Sequence, residues 1–209
     1  MQDIEEFIRE NRVEPKKPVL PPEYETWALK EFQKLSENRL LTKFLKSSGC
    51  AESRLKALFT TCVLYTRGAS RSTRNINVFS LRSIMQPSKW YYRSDEELPP
   101  RLSFTPKMNE DDFLCTQSIG HLMFERLATC TGIWRKYGFP TDEVKNIRYL
   151  RNDSRHGGKV FRSMPSFHVI RTLRNVINPD LWYIFPGEIS AEDMRAAEQK
   201  ADEEIERTR

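Results

Sequence analysis

Apolar residues recur at every third or fourth position through most of this 209-residue chain, and this spacing predicts α-helices. Three helices are predicted in the first third of the chain, the second ending at Gly49 and the third at Arg67-Gly68. Their apolar positions are Tyr24, Trp27, Ala28 and Phe32, then Leu40, Leu41, Phe44 and Leu45, then Leu55, Leu58, Phe59, Cys62, Val63 and Tyr65. Prolines at 87, 99, 100 and 106 predict a loop over residues 86–107.

The strongest apolar pattern covers residues 113–137 and predicts one central buried helix, which Gly138-Phe139-Pro140 ends. Residues 152–165 are predicted to form a flexible basic loop. Ser190 is expected to cap a final helix over 191–207, with Asp193 at its third position. Because neither β alternation of useful length nor an internal repeat is evident, the predicted fold class is mostly α.

An N-terminal arm is predicted over residues 1–22. Residues 3–12 place Ile4, Phe7 and Ile8 on one face of a short helix, and four prolines within residues 15–22 favour an extended strap. We expect either a frayed terminus or an arm that docks on a neighbouring subunit through those three apolar residues. The remaining chain is expected to form a helical RNA-binding core, 23–190, and an acidic C-terminal helix, 191–209.

Positive charge is gathered into two blocks with aromatic residues between the basic ones. Residues 39–93 hold eleven Lys and Arg against one acid, a net charge of +10, and residues 135–174 hold ten against three, a net charge of +7. The whole chain carries only +5, so its other segments are acidic or neutral. Such blocks attract a polyphosphate chain with bases that can stack on aromatic rings.

The predicted RNA contacts come from both blocks. Arginine is favoured for phosphate because its planar fork donates two parallel charge-assisted hydrogen bonds. If the blocks form opposite lips of one groove, single-stranded RNA would lie between them; alternatively, they are two solvated faces, with Trp90–Tyr92 as core anchors. The predicted contacts are Arg67, Arg71, Arg74, Phe79, Arg82, Lys89, Trp90, Tyr91, Arg148, Arg151, Arg155, Lys159 and Arg162.

Catalytic and metal-binding patterns are weak, so we predict no enzyme, no cofactor and no metal site. His121 is expected to be a satisfied core or boundary residue, and the four cysteines have no zinc-type spacing. A metal-dependent nuclease using the acids at 110–112 stays open as a minor alternative. The chain has no apolar run of membrane-spanning length and an acidic start, which predicts a soluble intracellular protein that does not contact membranes.

Several segments resemble RNA-encapsidating viral proteins. Residues 41–68 with their Thr-Arg-Gly end, Asp112–Trp134 and the Met164-Pro165-Ser166-Phe167 segment resemble phenuivirus nucleoproteins. Phe167–Asn175, Val176-Ile177-Asn178-Pro179 and Ala191–Ala201 are similar to coat proteins of flexuous filamentous plant viruses. The resemblance implies a two-lobed helical fold with an RNA groove and an exchanged arm, and it implies that Arg67, Arg71 and Arg74 contact RNA.

These observations together predict a viral nucleoprotein or coat protein. It would assemble into homo-oligomers along single-stranded RNA with little sequence preference, in the virion or the host cytoplasm. The alternative is a structural subunit of a large ribonucleoprotein such as a mitochondrial ribosome. Self-assembly on generic RNA separates the two.

Overall fold

The computed structural model describes residues 25–66, 74–113, 115–139, 141–148, 150–152 and 160–208. The arm predicted over residues 1–22 lies outside them. The chain divides into two compact units between Leu98 and Pro99, whereas the sequence placed residues 23–190 in one core. The acidic C-terminal helix belongs to the second unit.

The first unit is helical, and its three predicted N-terminal helices are confirmed. Thr26 begins the first helix, where its Oγ1 accepts a hydrogen bond from the Leu29 amide (3.3 Å) and lies 2.6 Å from the Tyr65 hydroxyl. The elements are α1 (Trp27–Glu37), α2 (Leu41–Lys46), α3 (Glu52–Thr66), α4 (Asn75–Leu81) and a 3₁₀ helix, η1 (Pro87–Trp90).

The second unit is also mostly helical, with one short hairpin. Its elements are α5 (Glu110–Phe113), α6 (Ile119–Ala128), α7 (Thr131–Tyr137), α8 (Thr141–Arg148), β1 (Leu150–Asn152), β2 (Val160–Arg162), α9 (Phe167–Leu173), a 3₁₀ helix η2 (Pro179–Tyr183) and α10 (Ala191–Glu206). The final helix is confirmed, including its cap: the Ser190 hydroxyl accepts from the Asp193 amide and donates to the Asp193 carboxylate.

The single central helix predicted over residues 113–137 is wrong, because this stretch forms α5, α6 and α7. Ser118 is extended and caps α6, with its hydroxyl accepting a hydrogen bond from the His121 amide. At the other end, the Thr129 hydroxyl and amide both bond to the Arg126 carbonyl, which closes the helix. Capping by two polar residues therefore overrides a nearly continuous apolar pattern.

The mostly α fold class is confirmed, and one short hairpin accompanies the helices. Strands β1 and β2 pair antiparallel, with Arg151 opposite Phe161. Each strand has only three residues, too few for alternation to be read from sequence. The β2 residues fall within the predicted loop 152–165.

The two units repeat one arrangement, which corrects the expectation of no internal repeat. The capping residues Thr26 and Ser118 stand 92 positions apart, and each hydroxyl accepts from the amide three residues later at 3.3 Å. The same spacing relates Phe32 to Phe124 and Trp90 to Trp182, whose rings pack at 5.2 Å in the first unit and 5.9 Å in the second. Helices α1 and α6 therefore each pack on the tryptophan of the 3₁₀ helix in their own unit.

The segments that carry these tryptophans match closely. Each reads Leu-Arg, four residues, Pro, two residues and Trp-Tyr, starting at Leu81 and at Leu173. The residue before the proline has φ −58° and ψ 124° at Gln86, and φ −54° and ψ 125° at Asn178. Both indole N–H groups are buried without a hydrogen-bond partner in the structure.

Helices α3 and α8 correspond as well, but at a spacing of 89 residues. Leu55 and Leu58 of α3 match Val144 and Ile147 of α8, and all four are buried. The repeat is hard to see in the sequence because the spacing changes from 92 to 89 and back within one unit. Moreover, the matching residues are mainly buried ones, whereas the surface residues differ.

Candidate nucleic-acid interface

The described part of the first unit exposes basic residues mainly on its first two helices. Helix α1 buries Ala28, Leu29 and Phe32, and its opposite face carries Lys30 and Lys34 in solvent. The loop and helix that follow add more exposed cations. The exposed set is Lys30, Lys34, Arg39, Lys43 and Lys46, and we call it the α1–α2 basic surface.

Nearby acids are few, and two of them are engaged by other cations. Glu31 forms an ion pair with Lys89. Asp95 accepts two hydrogen bonds from the Arg93 guanidinium. Those bonds, with a smaller contribution from Lys30, hold the pKa of Asp95 below its ordinary value. These two carboxylates are therefore engaged mainly by Lys89 and Arg93, which lie outside the α1–α2 basic surface.

Of the thirteen predicted RNA contacts, Arg74 has the most suitable position. It is exposed and precedes α4 in extended conformation. Arg67 and Arg71 lie outside the described residues, as do Arg155 and Lys159. Arg148, Arg151 and Arg162 lie at the end of α8, in β1 and in β2; only their backbone is described.

The prediction that Phe79, Trp90 and Tyr91 stack on RNA bases is wrong. Phe79 is 4% exposed, and Trp90 and Tyr91 are each 1% exposed, so no ring face is open to a base. The Trp90 ring packs between Phe32 and Tyr65, with both centroid distances at 5.2 Å. Trp90 and Tyr91 are therefore core anchors, as the alternative interpretation had it, and Phe79 is buried as well.

Two predicted cations are also used inside the protein. Arg82 is only 3% exposed and its guanidinium lies over the Phe79 ring, 4.2 Å from the centroid. Its counterpart in the repeat, Arg174, donates a hydrogen bond to the Arg171 carbonyl. Lys89 is half-buried and paired with Glu31. Arg82 and Lys89 therefore stabilise the first unit rather than face a ligand.

Sequence reasoning missed Lys30 and Lys34. They lie in residues 1–38, which carry a net charge of −3, so the local average concealed them. Their spacing of four residues, opposite the apolar stripe of α1, was the signal that would have found them.

The described residues hold little that suggests catalysis. They include no group of three or more His, Cys, Asp and Glu side chains placed to hold a metal ion. His121 is buried, with Nδ1 2.7 Å from the Ser118 hydroxyl and Nε2 3.3 Å from the Ser163 carbonyl. Its prediction as a satisfied core residue is confirmed, and Ser118, fully buried, presents no reachable nucleophile.

All four cysteines are free, and Cys62 alone is buried. Burial raises the pKa of the Cys62 thiol, which keeps it protonated and unreactive. Within the described segments, no helix has both the length and the apolarity needed to cross a bilayer.

Comparison with known protein families, with curated proteins and with solved structures found no match. Residues can instead be compared between the two units, at the positions that the internal repeat makes equivalent. The repeat places Arg74, which lies between α3 and α4, and Arg151 and Arg162, which lie between α8 and α9, at equivalent points of the two units. Described members of both sets of predicted RNA contacts therefore lie at equivalent places in the repeat.

Proposed function

We propose that this protein is a non-enzymatic nucleoprotein that binds single-stranded RNA with little sequence preference. The observation that carries the proposal is the α1–α2 basic surface, where four exposed lysines on two helices and Arg39 in the loop between them follow one another along the chain. Arg74 adds an exposed cation before α4, and Arg151 and Arg162 stand in the hairpin of the second unit. A strand of phosphates is the ligand whose charge such a surface complements.

Phosphate contacts are expected to supply most of the affinity. Because Phe79, Trp90 and Tyr91 are buried, stacking on those rings is not part of the proposal. Contacts to phosphate do not read base edges, so different homopolymers are expected to bind with similar affinity. If all five cations of the α1–α2 basic surface contact phosphates, log Kobs falls by about 3.5 per tenfold rise in salt, at roughly 0.7 per contact.

Encapsidation is the biological setting we propose. The segments that resemble phenuivirus nucleoproteins and filamentous plant virus coat proteins support it, as does the acidic arm sequence with Ile4, Phe7 and Ile8. On this proposal the two units are the two lobes, each presenting basic residues to one RNA strand. Copies of the chain would then polymerise along RNA in the virion or the host cytoplasm.

The test is a fluorescence anisotropy titration of a labelled single-stranded RNA against charge-reversal variants. We expect Lys30→Glu, Lys34→Glu and Lys43→Glu together to weaken binding by about 100-fold at low salt and to reduce the salt slope by roughly 2. The matched control reverses three other exposed cations of the second unit, Arg101, Lys145 and Lys200, for the same change in net charge.

The outcomes separate contact from general attraction. A weakened α1–α2 variant beside a nearly unchanged control supports the proposal. Equal losses in both variants, or an unchanged α1–α2 variant, would remove this surface as the RNA site. Tight binding by a protein that stays monomeric at every RNA length would favour the ribonucleoprotein-subunit alternative.

A further inference from the structure

Helix α10 lies against α6. Of its sixteen residues, Ala201 and Glu204 are the buried ones, while Met194, Ala197 and Ile205 are partly exposed. Three carboxylates of α10 form ion pairs with α6 and α7. Charge therefore contributes to the contact of α10 with both helices.

The carboxylates of α10 meet two cations of the second unit. The Arg126 guanidinium Nη1 lies 3.7 Å from Glu198 and 3.6 Å from Asp202. Both distances exceed a hydrogen bond, and this nitrogen is buried without a hydrogen-bond partner in the structure. The carboxylates of α10 thus balance the charge of Arg126 without accepting a hydrogen bond from its Nη1.

The second cation is bound more closely. Lys136 donates to Glu204, and the Tyr137 hydroxyl donates to the same oxygen at 2.8 Å. Burial alone would raise the pKa of Glu204, but these two hydrogen bonds outweigh it and hold that pKa below its ordinary value. Glu204 is therefore a charged carboxylate at neutral pH, seated between a lysine and a phenol.

The repeat shows what this face looks like without a covering helix. Lys34 stands 92 positions before Arg126, at the equivalent site on α1, and it is exposed. Beside it, Lys30 and Glu31 occupy the places of Leu122 and Met123. The first unit thus exposes Lys30 and Lys34 at this face. The second unit has Leu122 and Arg126 at the same two positions, and α10 places Glu198 beside Arg126.

We propose that Arg126 and Lys136, with the Tyr137 hydroxyl, form a second phosphate-binding site that α10 covers in the absence of RNA. Glu198, Asp202 and Glu204 occupy the positions that phosphates would take, and RNA displaces the helix by competing for the two cations. This inference rests on the proposed RNA-binding function. It explains why the second unit joins an equivalent basic position to an acidic helix.

The chemistry of the exchange favours phosphate. Arginine and lysine make charge-assisted hydrogen bonds to phosphate oxygens, and arginine makes them in pairs, whereas Arg126 makes none to α10. Ion pairs this exposed stabilise a contact only slightly. A shallow groove of about 400 Å³ runs beside α10, and four carboxylates and two arginines line it. While α10 is in place, these carboxylates repel an anion, so RNA can bind Arg126 and Lys136 only after α10 moves away.

The experiment compares two triple variants of the full chain with the same net charge. Glu198→Gln, Asp202→Asn and Glu204→Gln remove the carboxylates that face Arg126 and Lys136. The control changes three exposed acids that do not line the groove, with Glu97→Gln, Asp142→Asn and Glu192→Gln. We expect the first variant to bind a labelled single-stranded RNA roughly tenfold tighter than wild type, with a salt slope steeper by about 1.4.

Two further measurements complete the test. Adding Arg126→Gln and Lys136→Gln to the tight-binding variant should return its affinity and salt slope to near wild-type values. Hydrogen exchange of the wild-type α10 amides should accelerate when RNA is added. Equal tightening by the control triple variant, or RNA binding with unchanged α10 exchange, overturns the covered site alone. If no variant binds RNA at low salt, the proposed function fails and this inference fails with it.

Discussion

Replacing Gly120 with alanine tests the packing that defines each unit. Gly120 lies in the first turn of α6, directly against Trp182. A methyl group at this position would lie 2.6 Å from Cδ2, 2.8 Å from Cγ and 2.9 Å from the Cα of Trp182. Because one of these atoms is backbone, a change of side-chain rotamer does not relieve the clash, so η2 and α6 must move apart.

The expected magnitude follows from two opposing effects. Alanine in place of glycine in a helix interior stabilises by about 1 kcal/mol. Overpacking a filled core costs about 1–3 kcal/mol, and more where the backbone has to shift. The clash should prevail, so we expect Gly120→Ala to lower the free energy of unfolding by about 1–2 kcal/mol.

Urea denaturation followed by tryptophan fluorescence measures this change. The matched control is Ala28→Gly at the equivalent position of the first unit, which should cost about 1 kcal/mol through helix propensity. On this account, glycine is favoured at position 120 because of the close contact with Trp182, and alanine is favoured at position 28 because of its higher helix propensity. Stabilisation of the protein by Gly120→Ala would refute the assigned contact between α6 and η2.

Three further predictions concern acidic side chains of the second unit. The Glu188 carboxylate is buried and accepts hydrogen bonds from the amides of Lys107 (2.7 Å), Met108 (3.0 Å) and Phe185 (2.9 Å). Glu188→Ala orphans all three amides and should cost about 3 kcal/mol or more in urea denaturation, with Glu188→Gln intermediate; a loss below about 0.5 kcal/mol would contradict the clamp. Burial and the hydrogen bond to Glu204 raise the pKa of Tyr137 to about 12, so the difference in ultraviolet titration between wild type and Tyr137→Phe should show one late-ionising phenol, and a midpoint near 10 would contradict it. The lowered pKa of Glu204 means that its stabilising contribution is present above the ordinary glutamate pKa and is lost as pH falls through the lower folded value, so Glu204→Gln should reduce the dependence of stability on pH in acid, and an unchanged dependence would contradict this assignment.

Local signals in the sequence predicted the helices well where a capping residue and an apolar stripe agree. Ser190 with Asp193 marked the start of α10, and the stripe through Ala28 and Phe32 marked α1. The failure over residues 113–137 has a physical cause: Ser118 begins α6 and Thr129 closes it, each through a hydrogen bond between its hydroxyl and the backbone three residues away. Periodicity alone does not register such bonds.

The candidate site was predicted less well, because charge and aromatic content do not tell which side chains are buried. Arg82, Trp90 and Tyr91 read as nucleic-acid contacts in the sequence, yet each belongs to the core segment that the second unit repeats with Arg174, Trp182 and Tyr183. Recognising the repeat would have separated the two classes, since residues kept in both units serve the fold. Lys30, whose place is taken by Leu122 in the second unit, is a cation that the shared packing does not require.

The central claim, that this chain packages single-stranded RNA, is tested most directly on freshly purified protein from an RNA-containing host. The measurement is the ratio of absorbance at 260 and 280 nm across a size-exclusion peak, with negative-stain images of the same fractions. We expect a large, nucleic-acid-rich species that shows rings or rods and that nuclease treatment reduces in size. A monomeric peak with the absorbance of protein alone, which neither binds added single-stranded RNA nor assembles on it at low salt, would contradict the account.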